Sequence, residues 1–299
     1  MDGRETRALR TALRMTVRQF AVHIGVSDRM VSNWEAGGVG IAPRPSNQAA
    51  LDTALSCAGT EAHERFAFLI TEQAAAAEDQ RTEILLAADP LRFVRHPVDG
   101  KLMVEVPEGI FLGGDAGLTT WLPGFHLDVF PTTNADYFRF VSATGYPPPQ
   151  HWEGSRYPES IFDHPVVWVT WRDAAAYAAW AGKALPSSTQ WEKAARGTKG
   201  NIYPWGNNPT AAKCNVSDSG IGQTTPVSRY QSGASPFGAY DLCGNVWEWC
   251  ATESSQGRRE LKGSAFTSPF GRATPAAFND ASTGMCDEDT GFRCVAGHL

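Results

Sequence analysis

Cysteine and histidine are the residue types in this 299-residue sequence that could bind a transition metal, and their spacing argues against it. None of the six cysteines forms a C-x-x-C pair, the spacing that marks many zinc sites. The seven histidines contain no i, i+4 pair and no H-x-E motif, so a histidine-bound iron is not expected. The cysteines are therefore expected to be buried free thiols.

The charge distribution indicates a second kind of chemistry, contact with a polyanion, at one end of the chain. The first 45 residues contain 7 Arg and 4 acidic residues, a formal charge of about +3. Subtracting these from the chain totals of 26 and 32 leaves 19 basic and 28 acidic residues, about −9. A basic end on an acidic protein predicts that a polyanion binds only there.

Two short helices are expected within this basic end, in the stretch MTVRQFAVHIGVSDRMVSNWEAG, residues 15–37. Thr16 is a natural N-cap, and Gly25 can end the first helix in a left-handed conformation at little cost. Ser27 can cap a second helix that runs to about Glu35. The residues predicted to face inward recur at helical spacing: Val17, Phe20, Ala21, Ile24, Met30, Val31 and Trp34.

This stretch resembles the phage-repressor-like helix-turn-helix family over residues 5 to 57, on the basis of Ala21, Gly25, Val31 and the exit W-E-x-G at 34–37. The resemblance implies double-stranded DNA as a partner, with the second helix in the major groove. The residues implied to contact or flank the bases are Ser27, Asp28, Arg29, Ser32 and Asn33. The small contact area favours a homodimer. The alternative is a helical hairpin that only mediates dimerisation or binds protein.

A predicted connector, residues 58–100, joins this head (residues 1–57) to a body (residues 101–299). The connector is rich in strong helix formers. Its apolar residues form an uneven stripe: Phe66, Ile70, Ala74, Ala77, Ile84 and Leu85. The helix either pairs with its copy in a homodimer or docks on its own chain, and the sequence supports both interpretations equally.

The body has short apolar segments, many aromatic residues and frequent Gly and Pro turns, with only a few helices. One helix is expected after Thr133 and another in WRDAAAYAAWAGK, residues 171–183, where Ala174, Tyr177 and Ala181 share a face. A third is expected in LPSSTQWEKAARG, where Ser187 and Gln190 have capping-box spacing and Gly197 ends the helix.

Several stretches of the body together resemble the formylglycine-generating enzyme (sulfatase-modifying factor) family: LMVEVPEGIFLGG, FPTTNADYFRFV, HPVVWVTWRDAAAYAAWAGKALPSSTQWEKAARG, YPWGNNP, SPFGAYDLCGNVWEW and GFRC. Their order and spacing match over most of the body. The resemblance implies a loop-rich variant of the C-type lectin fold with a small sheet. The predicted fold class is therefore multidomain, with an all-α helix-turn-helix head and an α+β, loop-rich, C-type-lectin-like body.

The family also binds calcium, so the resemblance implies oxygen ligands for a hard cation. The ligands implied for one site are Asp241, the carbonyls of Gly244 and Val246, and Glu248; those for a second site are Asn215, Asp218 and the carbonyls of Val216 and Ile221. The alternative is that these acidic residues cap loops and accept backbone N–H groups.

Family members that oxidise a sulfatase cysteine to formylglycine carry two copper-binding cysteines after a G-G-S strand, and this chain departs from that pattern. Aligning residues 262–264 with the strand puts Thr267 and Arg272 at the two positions. Thr is a poor copper ligand and Arg repels a cation, so no copper or iron is expected. The remaining enzyme hypothesis is a divergent metal-dependent oxidase that uses Cys286, Cys294 or neither.

The segment from residue 265 to residue 289 supports another interpretation, because it occupies the position of the varied segment in diversity-generating retroelement proteins of this fold. It contains no Lys, Gln or Trp, and such a composition need not fill a core. Met285 and Glu288 favour the alternative of an ordinary surface loop. The residues predicted to line a binding surface are Thr267, Ser268, Phe270, Arg272 and Phe278.

Together these patterns predict a DNA-binding regulator or recognition protein whose body binds a ligand, peptide or protein without oxidase chemistry. The start MDGRETRALR lacks the apolar core of a secretory signal, and no apolar run is long enough to cross a bilayer. A cytoplasmic location with no membrane partner is therefore expected.

Overall fold

The computed structural model describes residues 1–38, 43–89 and 92–297, and the side chains of residues 71–81 and 88 also lie outside the described part. Contacts divide the chain into two units, Met1–Asp79 and Gln80–Leu299. This division falls within the predicted connector. The two units are described separately.

The first unit is helical. Its helices are α1 (Gly3–Ala12), α2 (Val17–Ile24), α3 (Asp28–Gly37), α4 (Pro45–Ser56) and the first part of α5 (Thr60–Ala88). The side chain of Thr16 accepts a hydrogen bond from the Gln19 N–H, and Gly25 ends α2 with φ of 74°. Ser27 caps α3 by accepting from the N–H of Met30. These three caps are the ones that the sequence predicts.

The core of the first unit is formed by the apolar stripes of its helices. The buried residues are Leu9, Phe20, Ala21, Ile24, Val31, Trp34, Leu51 and Ala54. Met30 was expected among them, and that expectation is wrong, because its side chain is 40% exposed. Met30 is one residue, about 100° of helix rotation, from the buried Val31, and so it lies at the edge of the inward face. Its sulfur contacts the amide of Asn47.

Helix α5 is the long helix predicted for the connector. Phe66 packs against the core of the first unit, whereas Leu85 and Leu86 pack against a core of the second unit. Each end of the helix therefore docks on its own chain. The predicted stripe also includes Ala74 and Ala77, whose side chains lie outside the described residues. Pairing of this helix with a second copy stays a prediction.

Besides the end of α5, the described part of the second unit contains ten short strands and three helices longer than one turn. The strands are β1 (Phe93–Arg95), β2 (Leu102–Val106), β3 (Gly109–Gly113), β4 (Leu118–Leu122), β5 (Phe125–Asp128), β6 (Trp247–Ser255), β7 (Arg258–Lys262), β8 (Phe278–Ser282), β9 (Thr290–Gly291) and β10 (Val295–Ala296). The helices after α5 are α6 (Asn134–Thr144), α7 (Trp171–Trp180) and α8 (Ser188–Arg196).

The strands form three small sheets. One sheet has the order β1-β2-β5-β10, the second is the hairpin β3-β4, and the third has the order β8-β7-β6-β9. All neighbouring strands are antiparallel except β6 and β9, which are parallel. The strands near the end of the chain thus complete two sheets that begin much earlier in the sequence.

Capping boxes start the three body helices, as the sequence predicts for α8. The N-cap residues are Thr133, Thr170 and Ser187, and each accepts a hydrogen bond from the backbone N–H three residues later. The predicted inward face of α7 is confirmed, because Ala174, Tyr177 and Ala181 are fully buried. None of the described helices combines the length and the apolarity needed to cross a membrane.

Aromatic rings fill the centre of the body. Tyr137 and Tyr177 stack with their ring centroids 5.9 Å apart, and Phe292 packs edge-on against Tyr177 at 5.3 Å. Such edge-to-face and offset contacts stabilise aromatic pairs beyond their burial alone. This cluster holds α6, α7 and the segment before β10 together.

A buried ion network lies beside the aromatic cluster. The ammonium of Lys183 lies 2.7 Å from the carboxylate of Asp99 and 2.7 Å from that of Asp128, and all three side chains are fully buried. Asp99 also accepts a hydrogen bond from the Tyr177 hydroxyl, and Asp128 accepts one from the backbone N–H of Cys294. The network therefore joins β5, α7 and the end of the chain.

Candidate functional site

The candidate loop, residues 264–278, follows strand β7 and runs to the start of β8. Gly263 leads into it with φ of 97°, and a Cβ atom there would lie 3.0 Å from the ring of Trp191. Ser264 also has a positive φ, 67°, and its hydroxyl is buried without a hydrogen-bond partner. A positive φ is uncommon for residues other than glycine, and its occurrence here marks a sharp change of chain direction.

The two positions implied for copper-binding cysteines are already engaged by protein groups. The Thr267 hydroxyl donates to the Asp289 carboxylate at 2.5 Å. The Arg272 guanidinium lies over the Trp247 ring, 5.7 Å from its centroid. The backbone N–H of Trp247 also donates a hydrogen bond to the Asp289 carbonyl. Thr267 and Arg272 therefore lie beside one patch, which the Asp289 carboxylate and the Trp247 ring form. This patch offers an exposed cation and a hydroxyl, not a pair of thiols.

Phe270 closes an aromatic stack on the other side of the loop. Its ring lies parallel to Tyr203, with centroids 5.2 Å apart, and Tyr203 stacks on Trp205 at 5.1 Å. The Phe270 N–H donates to the Asp218 carboxylate, which fixes the loop to the 217–219 turn. Three stacked rings give this part of the loop a rigid apolar support.

Two further predicted surface residues differ in environment. Ser268 is buried, and its carbonyl accepts a hydrogen bond from the Ser217 N–H, so it anchors the loop instead of presenting a side chain. Its prediction as a surface residue is therefore wrong, because the backbone bond draws it inward. Phe278 is 57% exposed and lies at the start of β8, opposite Lys262.

Asp241 brings an unpartnered oxygen to the first predicted calcium site. It is buried with φ of 54°, its Oδ2 accepts from the Asn245 amide at 2.8 Å, and its Oδ1 has no hydrogen-bond partner. Burial raises the pKa of this carboxyl to about 7, and the nearby Glu248 charge adds to the rise. A buried oxygen of this kind is costly to leave unsatisfied, and a hard cation would satisfy it.

Glu248, the other predicted carboxylate, is occupied by protein donors. Arg293 forms a bidentate pair with it, with both N–O distances at 2.7 Å, and the Trp191 ring N–H donates to the same group at 2.7 Å. The charge of Glu248 is thus balanced within the protein. The Gly244 carbonyl accepts from the Val246 N–H at 3.0 Å. Of the first set of ligands, Asp241 fits a cation best.

The second predicted calcium set is arranged as a hydrogen-bonded turn. Asn215 Oδ1 accepts from the Ser219 hydroxyl, and the Val216 carbonyl accepts from the same hydroxyl at 2.7 Å. Asp218 accepts from the Phe270 N–H. Ile221 follows the turn and is half-buried. These contacts match the loop-capping alternative more closely than an open cation site.

Asn245 connects the two sets, and sequence reasoning did not single it out. Its Oδ1 accepts from the Asn215 amide at 3.0 Å and from the Thr225 N–H at 2.9 Å, while its amide donates to Asp241. Its signal in the sequence is weak, because it is only the pair Gly244-Asn245. Both residue types tolerate a positive φ better than most others, and both adopt one here.

The remaining candidate thiols lie in separate environments. Cys294 is buried beside the Lys183 network, and Cys286 is half-buried. Burial raises the pKa of both thiols, so their metal-binding thiolate forms are disfavoured at neutral pH. Within the part of the chain that the structure describes, no group of three or more His, Cys, Asp and Glu side chains is placed to hold a metal ion.

The predicted DNA-contacting residues share the outer face of α3. Arg29, Ser32 and Asn33 are exposed, while Val31 and Trp34 face the core. Ser27 and Asp28 lie at the N-terminus of the helix, where the Asp28 carboxylate accepts the Arg29 N–H. The structure thus brings all five together at one end and face of the helix.

The body is a β-rich domain of the C-type-lectin-like class. It has small sheets and long loops, and the buried Glu248–Arg293 pair lies at its centre. Residues 92–297 match the family described as sulfatase-modifying factor enzyme 1-like domain. The chain belongs to this family. The body therefore has the fold that the sequence resemblance implies, and the family match begins close to the start of β1.

The relatives include a formylglycine-generating enzyme, a protein described as an inactive one, and a protein kinase. The chain is 31% identical to a formylglycine-generating enzyme of Thermomonospora curvata, over 67% of this chain and 94% of that protein. It is 29% identical to the inactive C-alpha-formylglycine-generating enzyme 2 of Mus musculus, over 72% and 89%. It is 42% identical to the serine/threonine-protein kinase Pkn1 of Chlamydia trachomatis, but spans only 23% of that longer protein. Family membership alone thus leaves the activity open.

Solved structures show the same fold at low sequence identity. PvdO from Pseudomonas aeruginosa is 21% identical with a TM-score of 0.57, over 69% of this chain and 98% of that one. Treponema denticola variable protein 1 is 16% identical with a TM-score of 0.56, over 69% and 99%. These likenesses concern the fold of the body.

Proposed function

We propose that the chain is a DNA-binding regulator or recognition protein whose body binds a ligand, peptide or protein without oxidase chemistry. The observation that carries the proposal for the body is the engagement of Thr267 by Asp289 and of Arg272 by Trp247. A hydroxyl held by a carboxylate and a guanidinium held over a ring cannot supply the soft sulfur ligands that copper selects.

The state of the cysteine side chains supports the absence of oxidase chemistry. Burial raises the pKa of Cys243, Cys250, Cys286 and Cys294, and that of Cys250 reaches about 12. While they stay buried, thiols in such surroundings remain protonated near neutral pH, whereas copper binding needs thiolates. The competing hypothesis is a divergent oxidase that uses Cys286, Cys294 or neither, and the surroundings of both thiols oppose the forms of it that use them.

The charges of the head support DNA as its partner. Glu35, the buried acid of α3, is neutralised by Arg10 at 2.6 Å. Arg18, Arg29 and Arg44 are exposed, and among the described residues none of these side chains forms an ion pair. Exposed, unpaired arginines are suited to phosphate oxygens and guanine edges.

The geometry of α2, the Gly25 turn and α3 supports the same proposal, because a second helix with a polar outer face fits a major groove. A homodimer would double the contact area of a small head. We also propose a structural calcium ion at Asp241 and a cytoplasmic location. Calcium, when bound, would neutralise the buried carboxyl and supply no redox chemistry.

DNA binding is tested with an operator selected from random duplexes by the full-length protein. The Arg29→Ala variant should bind that operator about 5- to 150-fold more weakly, equivalent to about 1 to 3 kcal/mol, and should lose discrimination at one base pair. Arg156→Ala is the matched control, because Arg156 is an exposed arginine of the body. Equal binding by both variants would refute the base-contact assignment, and selection of no operator would refute DNA binding.

The absence of oxidase chemistry is tested by elemental analysis of the purified protein together with oxygen uptake on a cysteine-containing peptide. Calcium without copper or iron, and no uptake, is the expected result. Stoichiometric copper or iron with oxygen uptake would instead establish the divergent oxidase and overturn the proposal for the body.

The variable-protein alternative is favoured by one observation: Thr267, Arg272 and Phe278 are exposed and can change without filling a core. The shared fold with the Treponema denticola variable protein agrees with it. Sequencing codons 265–289 in several strains distinguishes the two. Substitutions concentrated in these codons would establish diversification, and uniform codons would eliminate it.

A further inference from the structure

A pair of buried cysteines lies beneath the candidate loop. Cys214 and Cys243 are 1% and 3% exposed, and they pack in one apolar cluster with Tyr203, Val216 and Ala273. Ala273 belongs to the candidate loop and directly follows the turn at Phe270–Arg272. The thiol pair is therefore in contact with the segment that presents the binding surface.

The backbone places the two cysteines side by side. Asn215 and Gly244 form a parallel β-bridge, so the residues that precede them, Cys214 and Cys243, are also neighbours across the two segments. The segments approach closely, because a Cβ atom at Gly244 would lie 2.3 Å from the Asn215 carbonyl oxygen. Paired strands are about 4.8 Å apart, and disulfides span Cα distances of about 4.4 to 6.8 Å.

The side chains complete this arrangement. The Cys243 side chain contacts that of Cys214, and both lie in the same buried cluster. The Cys243 thiol also lies 2.6 Å from the Ala273 carbonyl oxygen. The reduced pair thus holds the end of the Phe270–Arg272 turn through one S–H donor.

We propose that Cys214 and Cys243 form a reversible disulfide when the protein meets a low-molecular-weight disulfide such as oxidised glutathione. During a local opening of the cluster, which exposes one of the two thiols, that cysteine loses its proton to solvent and attacks the small disulfide, so that one small thiol leaves. The second cysteine then displaces the other small thiol from the mixed disulfide. Two protein thiols are oxidised, one small disulfide is reduced to two thiols, and one S–S bond forms in the protein.

Oxidation of the two cysteines should change the hydrogen bonding of the candidate loop. The disulfide has no S–H group, so the Ala273 carbonyl loses its donor, while the chain between the two cysteines becomes a closed ring of about 30 residues. The inference concerns the thiols alone and does not depend on DNA binding or on the identity of any ligand.

The experiment uses the full-length chain, reduced and then equilibrated with a series of ratios of oxidised to reduced glutathione. After acid quenching, a tryptic digest without reductant is analysed by mass spectrometry. The expected product is a peptide that links Cys214 to Cys243, lighter than the two separate peptides by two hydrogen atoms. Fragment ions must place the link at Cys243, because Cys250 lies on the same tryptic peptide.

Matched variants separate the two candidate partners. Cys250→Ser should leave the link intact, and Cys243→Ser should abolish it. The oxidised wild type should melt about 5 to 10 °C higher than the reduced protein, with faster amide exchange over residues 270–277. A link located at Cys250, or no 214–243 link at the highest ratio of oxidised glutathione, would overturn the proposal whether or not the variants fold.

Discussion

Replacing Lys183 by Met should strongly destabilise the body, because Lys183 is the shared counter-ion of two buried carboxylates. Both its contacts, to Asp99 and Asp128, are 2.7 Å long, and none of the three side chains is exposed. Methionine has a similar length and no charge. The substitution therefore removes the cation without opening a large cavity, so the change in the free energy of unfolding reports mainly on the unpaired charges.

The expected loss is about 3 to 5 kcal/mol, the range for breaking a buried ion pair by removing one partner. The two pairs do not add, because they share one ammonium group. Asp99 keeps the Tyr177 hydroxyl and Asp128 keeps the Cys294 N–H, which limits the loss. For a unit of this size, the loss corresponds to a melting temperature lower by roughly 10 °C.

The assay is urea unfolding followed by tryptophan fluorescence at pH 5 and pH 7, with Lys199→Met, an exposed lysine, as the control. The variant's native state should take up protons that relieve the unpaired carboxylates. By linkage, the variant's stability then falls, relative to wild type, as pH rises. A loss below about 1 kcal/mol, or a loss that is equal at both pH values, would refute the reasoning.

The remaining predictions concern two acidic side chains. Asp241→Asn should abolish the rise in melting temperature that calcium gives over a chelator, while Asp115→Asn, at an exposed aspartate, should retain it. A full calcium effect in Asp241→Asn would remove this residue from the site. Burial raises the pKa of Asp163 to about 6, so its ionisation opposes folding as pH rises from about 4 to 6. Asp163→Asn should therefore stabilise the body by about 1 to 2 kcal/mol at pH 7 and by little at pH 4, as measured by urea unfolding, and equal effects at both pH values would contradict this.

Local features of the structure follow from the sequence because their causes are local. A cap residue bonds to an N–H three positions away, so Thr16, Ser27 and Ser187 reveal the helix starts that they make. Glycine tolerates the left-handed conformation, so Gly25 reveals a helix end. The exception is Met30, whose position at the edge of the helix face is decided by the neighbours that α3 packs against.

The candidate site was less predictable because its partners are distant in sequence. In the sequence alone, Glu248 is a candidate cation ligand. Only the structure shows that Arg293, 45 residues later, forms an ion pair with it. The proximity of Cys214 to Cys243 depends on a β-bridge between two loop segments, and neither segment has the alternation that reveals a strand. Family resemblance supplied the fold, whereas these contacts required the structure.

The position of the last strands also bears on how the protein is synthesised. The body completes its sheets only with Thr290–Gly291 beside β6 and Val295–Ala296 beside β5, and Glu248 gains its counter-ion only with Arg293. During synthesis, residue 296 must therefore leave the ribosomal exit tunnel before the sheets of the body can be completed. The helical first unit, Met1–Asp79, is compact by itself. It can form while most of the body is still untranslated, and the unfinished body is the part that a chaperone would have to protect.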